Sequence, residues 1–571
     1  MFKENKKLQI SLFGMVHQFP IGVKKTLEQS WAPKFRKLIF EKIDEKRYAE
    51  LYSDIPSRPN FPVNVWVGLE IIKYLRDYTD EELLQQWHFN LLIAFALGQE
   101  GLGELTLCSR TIYYNRERLL EYEAKTGCNL LEEEFLSITD GALKQLGVDT
   151  RMQRMDSSFV GSNIKQMSRL ELLVKVLQNF YQDLPETEQK HWQSLLAEYL
   201  GEEAQHLSFR LKRAEVEVHL NKVGEWLFKL HQTYADNDKL IGLKSYQHLG
   251  RVLNEQFQVK NDQEKSILEA KPSKQISASS LQNPADDEAT FRIKRGESKL
   301  GYEFNVAETC APANPVQLLT DISLYPNVIA DEVIAAERIP SIKRRTDVGE
   351  MITDAGFTGE VSEKVCDKEE VTLIPTEILG RKLAEEDFSL KDFEFANGMV
   401  ITCPSGKTPV SIIDKEERGR CIVRFSNEQC GGCPMLGQCP VVERKKYYSL
   451  SFSDRQAVVT QRRQQFQEEA YRKKCKLRPA VEGTVSQFKR RMRNGKLRVR
   501  GEGRVRNAII LMAIGINFRR IWAYLVEKLK SLAQLTSLIA FIFTFIVTFF
   551  VRLNPEKYFS YNRLSIQVVE K

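Results

Sequence analysis

The chain has 571 residues, 28% of them charged and 42% hydrophobic, and it carries a net charge of +7. That length excludes one simple core and predicts several domains, or one domain with large insertions. Ten cysteines in so long a chain exclude a disulfide scaffold, and the small net charge by itself names no partner.

The opening stretch, MFKENKKLQISLFGMVHQF, has charges but no apolar run of the length a secretory signal needs, so a reducing cytoplasm is expected. Residues 1–140 read as helical. Over 64–98 apolar residues recur at three- and four-residue spacing, with Val65, Leu69, Ile72 and Leu75 on one stripe. Thr79 followed by Glu82 is a capping box that starts the next helix. CSRTIYYNRERLLEYE (108–123) is a basic, aromatic helix whose Tyr113 and Tyr114 serve either DNA binding or packing. A short strand is predicted over 151–163, bearing Asp156, and charged helical sequence runs from Ser168 to about Val259. Residues 260–289 have the composition of a loop or linker.

Strand signals return at 300–310 and 314–327, followed by a helix over 326–345. A second short buried strand over 348–360 ends at Asp354, with Gly356 permitting a sharp turn. A cysteine-bearing region comes next, then a long helical segment from about 454 to 525. These signals divide the chain into a helical DNA-binding segment at 1–140 and an α/β core at 141–525, with a hydrophobic tail at 526–571. The core is interrupted by insertions at 165–285 and 361–453.

The positive charge is concentrated. From Ala470 to Gly501 there are twelve Lys or Arg residues and one carboxylate, Glu482. A stripe of that density suits a polyanion, usually nucleic acid, although an arbitrary basic run is more often a solvated helix face. On the helix expected here Arg478, Glu482, Val485 and Lys489 fall on one face, at offsets of four, seven and eleven. Taken singly, Asp156 and Asp354 read as a cap, a turn residue or a surface charge. Each ends a short apolar run, however, where strands of an α/β sheet deliver functional groups. Two aspartates on neighbouring strands and a glutamate on a packed helix can hold two Mg²⁺ ions. A metal pair about 4 Å apart activates the attacking oxygen and stabilises the leaving one in an in-line phosphoryl displacement. The basic strip then holds DNA phosphates, and the lone acid holds a metal that works on one of them.

The succession RMDSSFVGSNI, DEATFRIKRGESKLGYEFNVAE, MITDAGFTGE and RPAVEGTVSQFKRRMRNGKLRVRG resembles the DDE transposases of bacterial insertion sequences, over about residues 55–525. RPNFPVNVWVGLEIIKYLRDYTDEELLQQWHFN is similar to the helical domain that precedes the catalytic core in many of them. The resemblance implies an α/β fold, an RNase H-like mixed sheet flanked by helices. It implies an acidic triad at Asp156, Asp354 and Glu482 that ligates Mg²⁺ (or Mn²⁺). It also implies a protein that binds the terminal inverted repeats of its own element, hydrolyses the DNA ends to free 3′-hydroxyls and joins those to target DNA. One subset of the family carries Tyr, two residues, Arg, three residues, Glu, six residues, Lys. Arg478, Glu482 and Lys489 fit that spacing, whereas Cys475 stands at the tyrosine position and Tyr471 lies one turn earlier. By the same resemblance Arg478 and Lys489 position phosphates. Arg490, Arg491, Arg493, Lys496, Arg498 and Arg500 add sequence-independent affinity that falls with salt, and the protein assembles as at least a dimer on double-stranded DNA. The alternative is a catalytically inactive DNA-binding relative; the presence of all three carboxylates favours the enzyme.

CPSGKTP begins at Cys403, and CGGCPMLGQC supplies Cys430, Cys433 and Cys439. A C-x₂-C pair with two further cysteines can close a structural tetrahedral Zn²⁺ site; the other reading is a reduced, loop-rich insertion without metal. Cys310, Cys421 and Cys475 are expected as small buried hydrophobes. SLAQLTSLIAFIFTFIVTFFV (531–551) is uncharged throughout. It suits a membrane span by hydropathy, or an apolar segment packed on the core or on another subunit, as a strand or a helix. The expectation here leans to the packed segment of a cytoplasmic protein.

Overall fold

The computed structural model describes residues 1–5, 15–56, 58–99, 101–262, 265–294, 296–377, 389–396, 399–415 and 419–553. Seven helices frame the region of interest: α1 (Val63–Arg76), α2 (Asp80–Phe89), α3 (Ser109–Thr126), α4 (Leu130–Leu146), α5 (Asp331–Arg345), α6 (Ala480–Lys489) and α7 (Glu502–Leu553). The capping box of α2 is formed, with Glu82 N donating to Thr79 Oγ1 at 3.1 Å and Thr79 N donating to Glu82 Oε2 at 2.7 Å. Helix α1 buries more than the expected stripe: α7 packs along it, and Trp66, Glu70 and Lys73 are buried as well. Its two buried charges are paired: Arg116 reaches Glu70 at 2.8 Å and Lys73 reaches Asp80 at 2.7 Å.

The central sheet has six strands: β1 (Met152–Gly161), β2 (Thr290–Lys294), β3 (Glu297–Thr309), β4 (Leu319–Pro326), β5 (Glu350–Thr353) and β6 (Thr372–Pro375). Its order is β2-β3-β1-β5-β6; β3 is long enough that β2 pairs its first part and β4 its second. β1 runs antiparallel to β3 and parallel to β5, which is parallel to β6. Helix α5 covers one face, where Ala335, Ile339 and Ile342 meet Met155, Ala307 and Met351. On the other face Phe304, Val306 and Ile322 join a core shared with α1, α4, α6 and α7. This is the mixed, RNase H-like α/β architecture, and its double cover explains why β3 is buried continuously from Leu300 to Thr309.

The first insertion is helical from Arg169 to Gln256 and has its own core around Leu173, Phe180, Trp192 and Leu249. Where linker composition suggests a loop, the strands Phe257–Asp262 and Lys265–Ala270 form a hairpin. A two-stranded ribbon tolerates polar residues on its open face, so composition does not reveal it. The second insertion holds a four-stranded sheet over a small core of Phe393, Val423, Phe425 and Phe452.

The long helical segment expected over 454–525 is interrupted. Helices Asp454–Gln465 and Glu469–Cys475 precede α6, and residues 490–501 leave the helix altogether. Asn494 (φ 52°) and Gly495 (φ 73°) make the left-handed turn that permits this. The strip then pairs with the end of β1: Gly161 N donates to Gly495 O at 2.8 Å, Leu497 N to Gly161 O at 2.9 Å and Asn163 N to Val499 O at 2.9 Å.

In α7 the residues from Val505 to Ile521 are largely buried, but Leu529, Leu532, Leu535, Leu538, Ile539, Phe541 and Phe543 are exposed. The apolar tail therefore continues as helix and, among the described residues, does not pack on the core as expected. Helix α7 is long and apolar enough to cross a membrane, with a mean hydropathy of 1.5, yet 61% of the qualifying window is buried inside the protein.

Candidate active site

The sheet register brings the two aspartates together. Gln153 pairs with Met351 and Arg154 with Ile352 across the parallel β1–β5 ladder. Two residues further along each chain stand Asp156 and Asp354, and the two-residue period of strands keeps both on the face of that last pair. Asp156 does not end its strand as expected. It lies mid-strand and still pairs with Val306, because β3 supports β1 beyond the point where β5 stops. Asp354 directly follows the last residue of β5, and its Oδ1 accepts from Gly356 N at 2.8 Å. Gly356 serves by close approach: a Cβ there would stand 3.0 Å from Asp331 Oδ2 and 3.1 Å from Asp354 Oδ1.

Glu482 lies in the first turn of α6. Arg478, just ahead of that helix, joins the three acids. Its Nη2 is 3.2 Å from Asp156 Oδ1 and 3.6 Å from Asp354 Oδ2, and its Nη1 is 3.9 Å from Glu482 Oε1. The single face expected for Arg478, Glu482, Val485 and Lys489 is split, since Val485 turns into the core while Glu482 and Lys489 are exposed.

A buried ionic knot fixes α6 against the sheet. Glu308 of β3, fully buried, meets Arg154 of β1 at 2.6 Å and Arg520 of α7 at 2.7 Å, and accepts from Thr484 Oγ1 of α6 at 2.7 Å. Arg154 also donates to Leu477 O at 2.6 Å, next to Arg478. Three elements, β1, β3 and α7, thus hold the glutamate-bearing helix in place.

Burial pushes the Asp156 carboxyl up to about 6; Arg478 pulls it down, and Asp354 and Asp331 push it up. Asp331, at the start of α5, is raised by burial and by Asp354, and its Oδ1 is buried without a hydrogen-bond partner. Glu303 of β3 is pushed up to about 7 by burial and by Asp331. These two acids carry no sequence signal that singles them out. Asp331 reads as a favourable charge in a helix's first turn, and Glu303 sits in a strand run. The carboxylate oxygens suit a hard divalent cation. As they stand, no three His, Cys, Asp or Glu side chains among the described residues are set at metal-ligand geometry.

Of the expected DNA contacts, Lys489, Arg490, Arg493 and Arg500 are exposed. Three others are engaged within the fold. Arg491 donates to Tyr74 O and Gln487 O, each at 2.5 Å, and burial lowers it to about 10. Lys496 donates to Ile164 O at 2.7 Å, and Arg498 meets Asp77 at 3.4 Å. Their stems and heads stitch the strip onto β1 and α1. Tyr471 donates to Pro375 O at 3.0 Å, and half-buried Cys475 lies against the same carbonyl, so both serve the end of β6. Cys310 and Cys421 are buried. Tyr113 and Tyr114 are each 52% exposed and pack no core.

Cys403, Cys430, Cys433 and Cys439 line one cavity of about 20 Å³. Burial and the neighbouring thiols push Cys430 and Cys439 up, whereas a hydrogen bond with the Ser405 hydroxyl at 3.1 Å lowers Cys433.

Comparison with known proteins gives two family matches. Residues 402–522 match the transposase DDE domain, and residues 26–118 match a transposase domain (DUF772). No curated protein matches the chain, and no solved structure does. The first match takes in the four cysteines, Arg478, Glu482 and the basic strip, and the second takes in α1 and α2. Together they support a DDE transposase of insertion-sequence type.

Proposed function

We propose that this transposase binds the terminal inverted repeats of its own insertion sequence, hydrolyses the DNA ends and joins the freed 3′-hydroxyls to target DNA. Asp156, Asp354 and Glu482 would hold Mg²⁺ (or Mn²⁺). The observation that carries this reading is the meeting of three carboxylates, from β1, β5 and α6, on the one guanidinium of Arg478. When bound, the divalent ions supply activation of the attacking oxygen and stabilisation of the leaving one. Asp156 is largely buried whereas Glu482 is 70% exposed, so Asp156 would hold an ion from within the fold and Glu482 from its solvent side. Arg478 exchanges its carboxylate partners for a phosphate, and Lys489, Arg490, Arg493 and Arg500 hold the flanking backbone. Because two ends must be joined, the protein acts in the cytoplasm as at least a dimer on double-stranded DNA.

We also propose that Cys403, Cys430, Cys433 and Cys439 hold a structural Zn²⁺. Four thiols around a cavity of about 20 Å³ offer the donors and the room that one such ion takes. Closing on it requires the side chains to rotate inward.

The test is cleavage of a supercoiled plasmid carrying the element's ends, with and without Mg²⁺. Wild type should nick it, and Asp156→Ala should lose on the order of 10³-fold or more while still binding. If both proteins bind and neither cuts, the protein is a DNA-binding relative without chemistry.

A further inference from the structure

Helix α7 changes character along its length. From Val505 to Ile521 it belongs to the core, and there Arg520 closes the Glu308 knot. From Glu527 to Thr544 every residue whose side chain is described is exposed, and Leu538 and Phe541 show 54% and 69% of their surfaces. Residues 531–551 hold no charged side chain; Lys528 and Lys530 bound the run on one side and Arg552 on the other. As helix the run is about 32 Å long, close to the ~30 Å of a bilayer's hydrocarbon core, and α7 continues unbroken to Leu553. Three hydroxyls within the run are turned back onto the helix. Ser531 donates to Lys528 O at 2.8 Å, Ser537 to Gln534 O at 3.1 Å and Thr544 to Ala540 O at 2.8 Å. Polar groups in hydrocarbon must be met from within in this way.

We propose that residues 531–551 insert into a phospholipid bilayer as a spanning helix, with the folded body on the side of Lys528 and Lys530. A second copy of the chain suits the run less well. Each helical residue is turned about 100° from the last, so the exposed Phe541, Ile542 and Phe543 together face more than half of the circumference. A partner helix covers one stripe and leaves one of these side chains in water. The run also lacks the flanking Glu and Lys residues that keep such a helix pair soluble. Lipid covers every side at once, and a helix apolar all round lies in a core or spans a membrane. The run stands clear of the core, since Ser531 follows Ile521 by about 15 Å of helix. Lys528 and Lys530 are exposed and match the anionic phosphates of lipid headgroups. Cations on the cytoplasmic side of a span follow the usual bias. The helix that clasps the knot is thus the one that anchors the protein.

The experiment floats the full-length protein on a density gradient with vesicles of phosphatidylcholine and phosphatidylglycerol. Wild type should rise with the vesicles and stay with them in high salt and after an alkaline wash. Leu538→Arg combined with Ile542→Arg puts two cations near the middle of the run, where lipid tolerates them least, and should lower the floated fraction at least about tenfold. Both positions are exposed, so thermal unfolding of the body and plasmid nicking should stay at the wild-type level. Flotation of the doubly substituted protein equal to wild type would overturn the insertion. Release by high salt would overturn it as well, leaving only a surface contact through Lys528 and Lys530. Wild type that remains at the bottom of the gradient, as a dimer that the two substitutions dissociate, would assign the run to a second copy instead. Flotation and nicking are read separately, so failure of the anchor leaves the proposed function standing, and the reverse holds too.

Discussion

The carboxylate centre and the cysteine cavity differ in how they are built. Asp156, Asp354 and Glu482 come from distant parts of the chain and are brought together by strand register and by the knot around Glu308. They also have an internal counter-charge, Arg478, within 3.2 to 3.9 Å. The cysteines come from one short stretch beside a small core, and the polar side chains that share their cavity are Ser405, Lys407 and Gln429. The first centre is a product of the whole fold. The second is local, and a metal would be its main organiser.

That contrast can be broken in three ways, the largest effect first. Glu308→Gln leaves Arg154 and Arg520 buried without their carboxylate. It should cost about 3–5 kcal/mol of stability, seen as a lower urea midpoint, and should take cleavage down with it. An unchanged midpoint would mean that the knot does not hold the site. Next comes Asp156 itself. Its carboxyl is raised from 3.8 to about 6, so the stability tied to its protonated form is complete below about pH 4 and lost as pH rises through 6. Asp156→Asn should therefore raise the unfolding free energy at pH 8 by about 1–2 kcal/mol while abolishing cleavage. In wild type the cleavage rate should fall about tenfold per unit below pH 6, where the metal-binding form is scarce. A flat rate between pH 5 and 7 would contradict this. Smallest in global terms is Cys430→Ser. It should remove bound zinc, measured by elemental analysis, and speed limited proteolysis within residues 399–453 about tenfold. The urea midpoint of the rest should move by less than about 1 kcal/mol. Loss of cooperativity throughout the chain would show that the insertion is not local after all.

Much of the centre was legible from residues alone. Apolar runs located β1 and β5, and the four-residue spacing of Arg478 and Glu482 is an observed contact. Register was not legible, because nothing in either run says that Arg154 pairs with Ile352 and hence that Asp156 lies beside Asp354. The burial of Glu308 was hidden too, since a charged residue in a strand reads as an outward position until β1, α6 and α7 close over it. The turn at Asn494 and Gly495 was written in the sequence as a breaker pair, yet the basic composition around it read as continuous helix. The tail was ambiguous because Phe, Ile, Val and Thr suit strand, core and lipid alike. It is an exposed helix as far as it is described.

The Glu308 knot has a consequence for timing during translation. Ribosomes deliver Asp156 and Asp354 well before Thr484 and Arg520, the partners that close the knot from the far side. At roughly 5–20 residues per second, the interval from Asp354 to Arg520 is on the order of ten seconds. Until Glu482 emerges the nascent polypeptide has two acids and no third, and until Arg520 follows the clasp that seats the third is incomplete. On the proposed function, a product terminated before Glu482 would lack one of the three metal ligands and should not cut the genome it was made beside.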